Sequence, residues 1–219
     1  MRRVILCGAV VAAFAAWGTA RGQEAKAKTW DFQGDTLQAP PGGFSFGRTG
    51  RGREGRWAVV QDPTAPSGDH VLAQLDSDDT DYRFPVAVAD APILKDLRVE
   101  VRCKPVSGKT DEACGLVFRY RDPDNYYVAR ANALEDNVNL YRVTKGQRRQ
   151  IKGWSGKVTK NAWHALAVEA HGDRLQVFWE GKPIIEASDD TFRDAGKVGV
   201  WTKADSITYF DALTAAPPG

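Results

Sequence analysis

Apolar and polar residues alternate with a period of two along the middle of this chain. Leu97, Val99, Val101 and Cys103 alternate with Arg98, Glu100 and Arg102, which predicts a strand with one buried face. Cys114, Leu116, Phe118 and Tyr120 carry the same pattern on the next strand. The turn-forming residues Asp122-Pro123-Asp124-Asn125 then reverse the chain. Beyond them Tyr127, Ala129 and Ala131 stay on the apolar face, while Val128, Arg130 and Asn132 point away. A second turn at 134–137 leads to Val138 and Leu140 inside, with Asn139 and Tyr141 outside. The stretch 114–143 therefore reads as three consecutive antiparallel strands.

Elsewhere short apolar runs recur at 30–32, 44–46, 56–60, 70–75 and 82–88, separated by clusters of Gly, Pro and Asp. Residues 147–154 read as an edge strand. Leu166, Val168 and Ala170 are expected opposite Leu175, Val177 and Trp179 around a His171-Gly172-Asp173 turn. Glu180-Gly181 makes another tight turn before Ile184 and Ile185, and 198–201 and 207–213 close the pattern. Helical turns are expected only near 91–95 and 190–194. Many short strands without a long helix predict an all-β sandwich or jelly roll. No linker interrupts the pattern, so one domain is expected over 30–213, after a leader at 23–29 and before a tail at 214–219.

Placing Cys103 opposite Cys114 sets Val101 against Leu116 and Val99 against Phe118, so every apolar residue falls on one face. This register and a Cys103–Cys114 disulfide support each other; two free buried thiols are the alternative. Extended across the sheet, it groups Glu100, Val117, Arg130 and Tyr141 in one row. Arg102, Gly115, Asn132 and Asn139 form the next, and Arg98, Arg119 and Val128 a third. Small Gly115 and Val117 would floor a shallow groove lined by guanidinium, amide, carboxylate and phenol groups. Such groups suit a sugar: Arg and Asn donate to hydroxyls in fixed geometry, and Tyr offers its ring to the apolar C–H face. A face of this composition also arises simply where an antiparallel sheet meets water.

The first 22 residues alter the charge. Arg2 and Arg3 precede an apolar run from Val4 to Ala16, followed by small residues with cleavage expected after Ala20 or Gly22. This is the grammar of a secretory signal peptide, a retained anchor being the alternative. Its removal takes three arginines and no acid, so the formal charge falls from +2 to −1. Nothing then argues for nucleic acid, and no second apolar stretch reaches membrane-spanning length. A secreted or periplasmic protein with two remaining cysteines is expected, in a compartment that favours the disulfide. Asp76, Asp78, Asp79 and Asp81 crowd one short run. Hard carboxylate oxygens suit calcium, although the spacing is not that of an EF-hand and an acidic turn between strands is the better explanation. His70, His164 and His171 are scattered without a nucleophile motif, and read as structural.

The segments GLVFRYRDPDNYYVARAN and VGVWTKADSITYFDAL, with the hairpins between Trp163 and Gly181, resemble the concanavalin A-like lectin/glucanase jelly roll. More narrowly, they resemble the laminin-G-like domain named for 3-keto-disaccharide hydrolases. The likeness covers roughly Trp30 to Leu213. It implies two stacked, curved antiparallel sheets with ligand sites on the concave face or its rim, and a carbohydrate as partner. Trp201, Lys203 and Asp205 fall on the WTKADS segment, a marker of fold. The ExDxxE strand of family 16 glycoside hydrolases is missing, and ordinary glycoside hydrolysis needs two carboxylates about the bond. A 3-keto sugar needs less, because its ketone acidifies the neighbouring C–H. Glu100 would then act as base and Arg130 would stabilise the enolate, with Arg102, Arg119, Asn132, Asn139 and Tyr141 holding the glycoside. The competing expectation is a non-catalytic carbohydrate-binding or structural module of the same fold.

Overall fold

Period-two alternation becomes strand throughout the structure, a computed structural model that describes residues 27–218. The expected signal peptide at 1–22 lies outside the described residues. β1 (Lys28–Trp30), β2 (Phe44–Gly50), β3 (Trp57–Gln61), β4 (His70–Gln74) and β5 (Arg83–Ala89) come first. β6 (Leu97–Ser107), β7 (Ala113–Asp122), β8 (Asn125–Asn132), β9 (Asn137–Thr144) and β10 (Gln147–Ser155) follow. β11 (His164–His171), β12 (Arg174–Trp179), β13 (Lys182–Ser188), β14 (Lys197–Trp201) and β15 (Ile207–Ala216) end the fold. The helical turns expected at 91–95 and 190–194 do not form: both segments are irregular, and no helix occurs among the described residues.

The strands make two antiparallel sheets. One runs β13-β12-β11-β6-β15-β4-β3, with β1 added beside β15; the other runs β10-β9-β8-β7-β14-β5-β2. Between them lies a core that includes Val99, Val101, Leu116, Phe118, Leu140, Leu166 and Val168, all fully buried. Each such side chain contributes about 1.5–3 kcal/mol relative to an exposed one. The hairpin at 171–173 has the expected pairing, with Leu166 opposite Trp179 and Ala170 opposite Leu175.

The expected pairing of β6 with β7 is not found. β6 pairs with β11 and β15 in one sheet, and β7 pairs with β8 and β14 in the other. Val101 and Leu116 meet across the core instead of side by side. Matching apolar faces satisfy either arrangement, so alternation alone could not separate them. The disulfide does form, from Cys103 to Cys114 with Cα atoms 6.2 Å apart, and it joins the two sheets. The connection 108–112 carries the chain across. Asp205 holds it in place, accepting from the backbone N–H groups of Lys109 at 2.7 Å and Asp111 at 3.0 Å.

Registers within the second sheet are two residues away from expectation. Gly115, not Val117, lies opposite Arg130, and Asn139, not Tyr141, lies opposite Arg130 on the other side. The cause between β7 and β8 is a bulge: Asp122 pairs with Asn125, but Phe118 pairs with Tyr127, and Arg119 has φ +46°. A two-residue slip returns each side chain to its original face, so Arg130, Asn132, Asn139 and Tyr141 still point outward.

The outer face of this second sheet is not simply wetted. Phe84, Val86, Val117, Tyr126, Val128, Val143 and Trp201 form a second apolar cluster there. Trp201 stacks on Phe84 at 5.2 Å and donates from its indole N–H to Tyr126 Oη at 3.1 Å. Three loops gather round the fully buried Arg83. Its guanidinium donates to the carbonyl oxygens of Arg53, Glu54, Asp78 and Ala204 and to Asp76. These loops and the apolar cluster frame the polar residues described next.

Candidate functional site

Arg130 sits in the middle of β8, an ordinary outward position on a strand, yet it is only 3% exposed. The turn from Asn132 to Asn137 folds back over it. Asn132 shapes that turn by accepting from Leu134 N at 2.8 Å and Glu135 N at 3.2 Å. Glu135 is thereby set above the guanidinium, which donates to its Oε2 from both Nη1 and Nη2 at 3.1 Å. Arg130 also donates to Asn137 Oδ1 at 3.2 Å and to Tyr141 Oη at 2.7 Å. Asn139 donates a second hydrogen bond to Tyr141 Oη, at 3.0 Å. These bonds hold the terminal nitrogens of Arg130 and the Tyr141 hydroxyl in place, while Arg130 Nε is buried without a hydrogen-bond partner.

A chain of charges extends it. Asn132 donates to Asp111 Oδ1 at 2.9 Å, Asp111 Oδ2 lies 2.9 Å from Lys203 Nζ, and Lys203 reaches Asp81 at 2.8 Å. Asp111 is buried, whereas Asp81 is open to solvent and the Glu135 side chain is 45% exposed. Above the apolar cluster lies Arg148, its guanidinium 4.6 Å from the ring centres of Phe84 and Tyr141 and 5.7 Å from that of Trp201. Its Nη1 is buried without a hydrogen-bond partner. Leu134, in the turn over Arg130, is exposed.

The electrostatics follow from depth. Burial raises the Asp111 pKa, against the pull of Lys203 and Arg130. Burial works against the Lys203 charge too, but hydrogen bonding to Asp81 and the field of Asp111 outweigh it, so its pKa is raised. The two partners differ because Lys203 has two carboxylates and Asp111 is the more deeply buried. For Arg130, Tyr141, Asp111 and Glu135 outweigh burial and keep it firmly cationic. Burial would raise the Glu135 pKa, but the hydrogen bond from Asn137 and the charge of Arg130 hold it below the ordinary carboxylate range. The surface offered to a ligand is thus an ionised Glu135 and Asp81 beside Lys203, backed by the hydrogen-bonded Arg130 and Asn137.

Of the residues expected from the sequence, the structure brings Arg130, Asn132, Asn139 and Tyr141 together. Glu100 and Arg102 are elsewhere, since β6 belongs to the other sheet and they point out from its far side. There Glu100 pairs with Arg98 at 3.2 Å, and Arg98 also pairs with Glu169. Arg119 leaves the group as well. The bulge turns it into the end of the sandwich, where it is fully buried and donates to the carbonyl oxygens of Lys95 at 2.9 Å and Phe192 at 2.8 Å. Burial lowers its pKa, and its role is to pin those two irregular segments. Gly115 does floor the face, but as the place where Trp201 fits: a Cβ there would stand 2.9 Å from Trp201 Cε3.

Sequence reasoning did not assign Glu135, Asn137, Asp111, Asp81, Lys203 or Arg148 to this site. Glu135 and Asn137 had one available signal, as polar residues of the turn between the outward-facing Asn132 and Asn139. Lys203 and Asp111 are far apart in sequence and had none. In the acidic run, Asp76 accepts from Arg53 at 3.0 Å and from Arg83 at 3.1 Å, Asp78 accepts from Arg53 N at 2.6 Å, and Asp81 pairs with Lys203. Among the described residues no group of three or more His, Cys, Asp or Glu is arranged to hold a metal ion. No described helix is long and apolar enough to cross a membrane.

No protein-family model matches the chain. Over 105 residues, 47% of this chain but 15% of the relative, it is 30% identical to a levanase of Bacillus subtilis (strain 168), so it spans a small part of that protein. Among solved structures, it is similar to carbohydrate-binding module CBM66 from Bacillus subtilis. The TM-score is 0.65 at 23% identity, covering 80% of this chain and 95% of that one. It also resembles a Bacillus subtilis protein of unknown function with a galectin-like fold, with TM-score 0.61 and 11% identity over 89% and 97% of the two chains. A Bacillus licheniformis β-glucanase aligns at TM-score 0.56 and 13% identity, over 90% of this chain and all of that one. The chain has the concanavalin A-like jelly-roll fold that its central strands and its WTKADS segment resemble.

Proposed function

We propose that this protein is a non-catalytic carbohydrate-binding module that holds a sugar over Glu135, Asp81 and Lys203. The observation that carries the reading is the hydrogen-bonded Arg130–Glu135–Tyr141–Asn139 network, which presents an ionised, half-exposed carboxylate over a buried guanidinium. Sugar hydroxyls donate to Glu135 and Asp81 and accept from Lys203 Nζ, with little ordering left to be done on binding. Leu134 and the edge of Tyr141 supply apolar surface for the C–H side of a ring. The levanase and CBM66 likenesses point the same way. An exported location fits the N-terminal segment and the Cys103–Cys114 bridge.

The chemistry of the site favours binding over turnover. A general acid needs a raised pKa, whereas Glu135 is held down by Arg130. Elimination from a 3-keto-disaccharide through Glu100 and Arg130 would need both on one face, and they extend from different sheets.

Isothermal titration against a panel of neutral mono- and oligosaccharides, with product analysis of the same mixtures, tests this. Wild type is expected to bind at least one of them without releasing product, and Glu135→Gln to weaken that binding about tenfold or more. Unchanged affinity in Glu135→Gln, or product formation by wild type, would overturn the reading.

A further inference from the structure

A second polar recess lies on the other side of the β9–β10 hairpin, away from the sugar site. There the core-side positions of the hairpin meet residues 190–191 around a groove of about 590 Å³. Arg142 and Arg149 both line it and are direct cross-strand partners. Like charges so placed destabilise a sheet, so a counter-charge is called for. Arg142 has one in Asp189. Arg149 and Lys145, both exposed, have no ion pair and no side-chain hydrogen bond among the described residues. The remaining acid, Asp190, is held 3.0 Å from Arg193. Thr144 also lines the groove, its Oγ1 buried below the surface.

We infer that this groove binds an anionic group of an acidic glycan, a carboxylate or a sulfate ester. The Arg149 guanidinium takes two of its oxygens and Lys145 supplies a second positive charge. None of these residues belongs to the Glu135 site, so the inference stands or falls separately from the proposed sugar binding.

Affinity for dextran sulfate, polygalacturonate and neutral dextran, measured by affinity electrophoresis at low and physiological salt, is the test. The probe variant is Arg149→Ala with Lys145→Asn. Asparagine is chosen because Lys145 has φ +50°, a conformation Asn tolerates. A control, Arg56→Ala with Lys182→Ala, removes the same charge from exposed positions elsewhere. The probe variant is expected to lose about tenfold or more in affinity for one anionic polymer, and the control about twofold or less. Loss confined to dextran sulfate identifies a sulfate ester as the ligand; loss confined to polygalacturonate identifies a carboxylate. Equal weakening in probe and control, equal binding of neutral dextran, or no binding of either anionic polymer by wild type would overturn the inference.

Discussion

Replacing Arg130 with methionine keeps most of the side-chain volume and removes the charge and its donors. Two consequences differ in size. The Glu135 pair is 45% exposed on the acid side, so the freed carboxylate rehydrates and the loss there is small, ~0–1 kcal/mol. The bond to Tyr141 Oη at 2.7 Å is buried. Losing a buried bond to a charged group costs about 1.5–3 kcal/mol. Arg130→Met is therefore expected to destabilise by about 2–3 kcal/mol. For a domain of this size that lowers the melting temperature by about 5–10 °C. Calorimetry at neutral pH gives the stability change, and titration with the sugar bound by wild type gives the affinity, expected to fall about tenfold or more because Glu135 is no longer held. Arg130→Lys, which keeps the charge but not the two-pronged donor, should fall between. A Met variant that melts with wild type and binds within about twofold would refute both the structural and the binding role.

Three other outcomes follow from single observations. Burial would raise the pKa of Asp205, but the backbone N–H groups of Lys109, Asp111 and Thr110 outweigh it and lower the value. Its stabilisation is thus complete above the unfolded value of ~3.9 and is lost as pH falls through the folded value. Asp205→Asn should be destabilised most near neutrality, and its deficit against wild type should shrink in melts taken below ~pH 4. Cys103→Ala with Cys114→Ala opens a bridge spanning 11 residues of sequence, and should cost about 3 kcal/mol in denaturant unfolding. Gly115→Ala would drive a methyl to within 2.9 Å of fully buried Trp201. Overpacking of this kind costs about 1–3 kcal/mol, visible as a lower midpoint with cooperative unfolding retained.

How far the sequence carried can be judged from particular residues. Side-chain alternation placed Leu116, Tyr127 and Leu140 in the core and Arg130, Asn132, Asn139 and Tyr141 outside it, because a strand exposes alternate residues to opposite faces whatever its neighbours. The class of fold and the hairpin at 171–173 were legible for the same local reason, whereas the cysteine pair followed from its close spacing and not from the register expected with it. The identity of each strand's neighbour was not. An apolar face on β6 and another on β7 are complementary both within one sheet and across a core, and only the complete set of pairings selected the second. That choice separated Glu100 from Arg130. The bulge at Arg119 then moved the registers by two and buried a residue that alternation had left outside. Lys203, Asp111 and Asp81 come from three loops whose meeting depends on how the sheets stack. Away from that bulge, the sequence by itself determined which side of its strand each residue faces; tertiary structure alone decided which of those sides is shared, since proximity between distant segments is a property of packing and has no local signature.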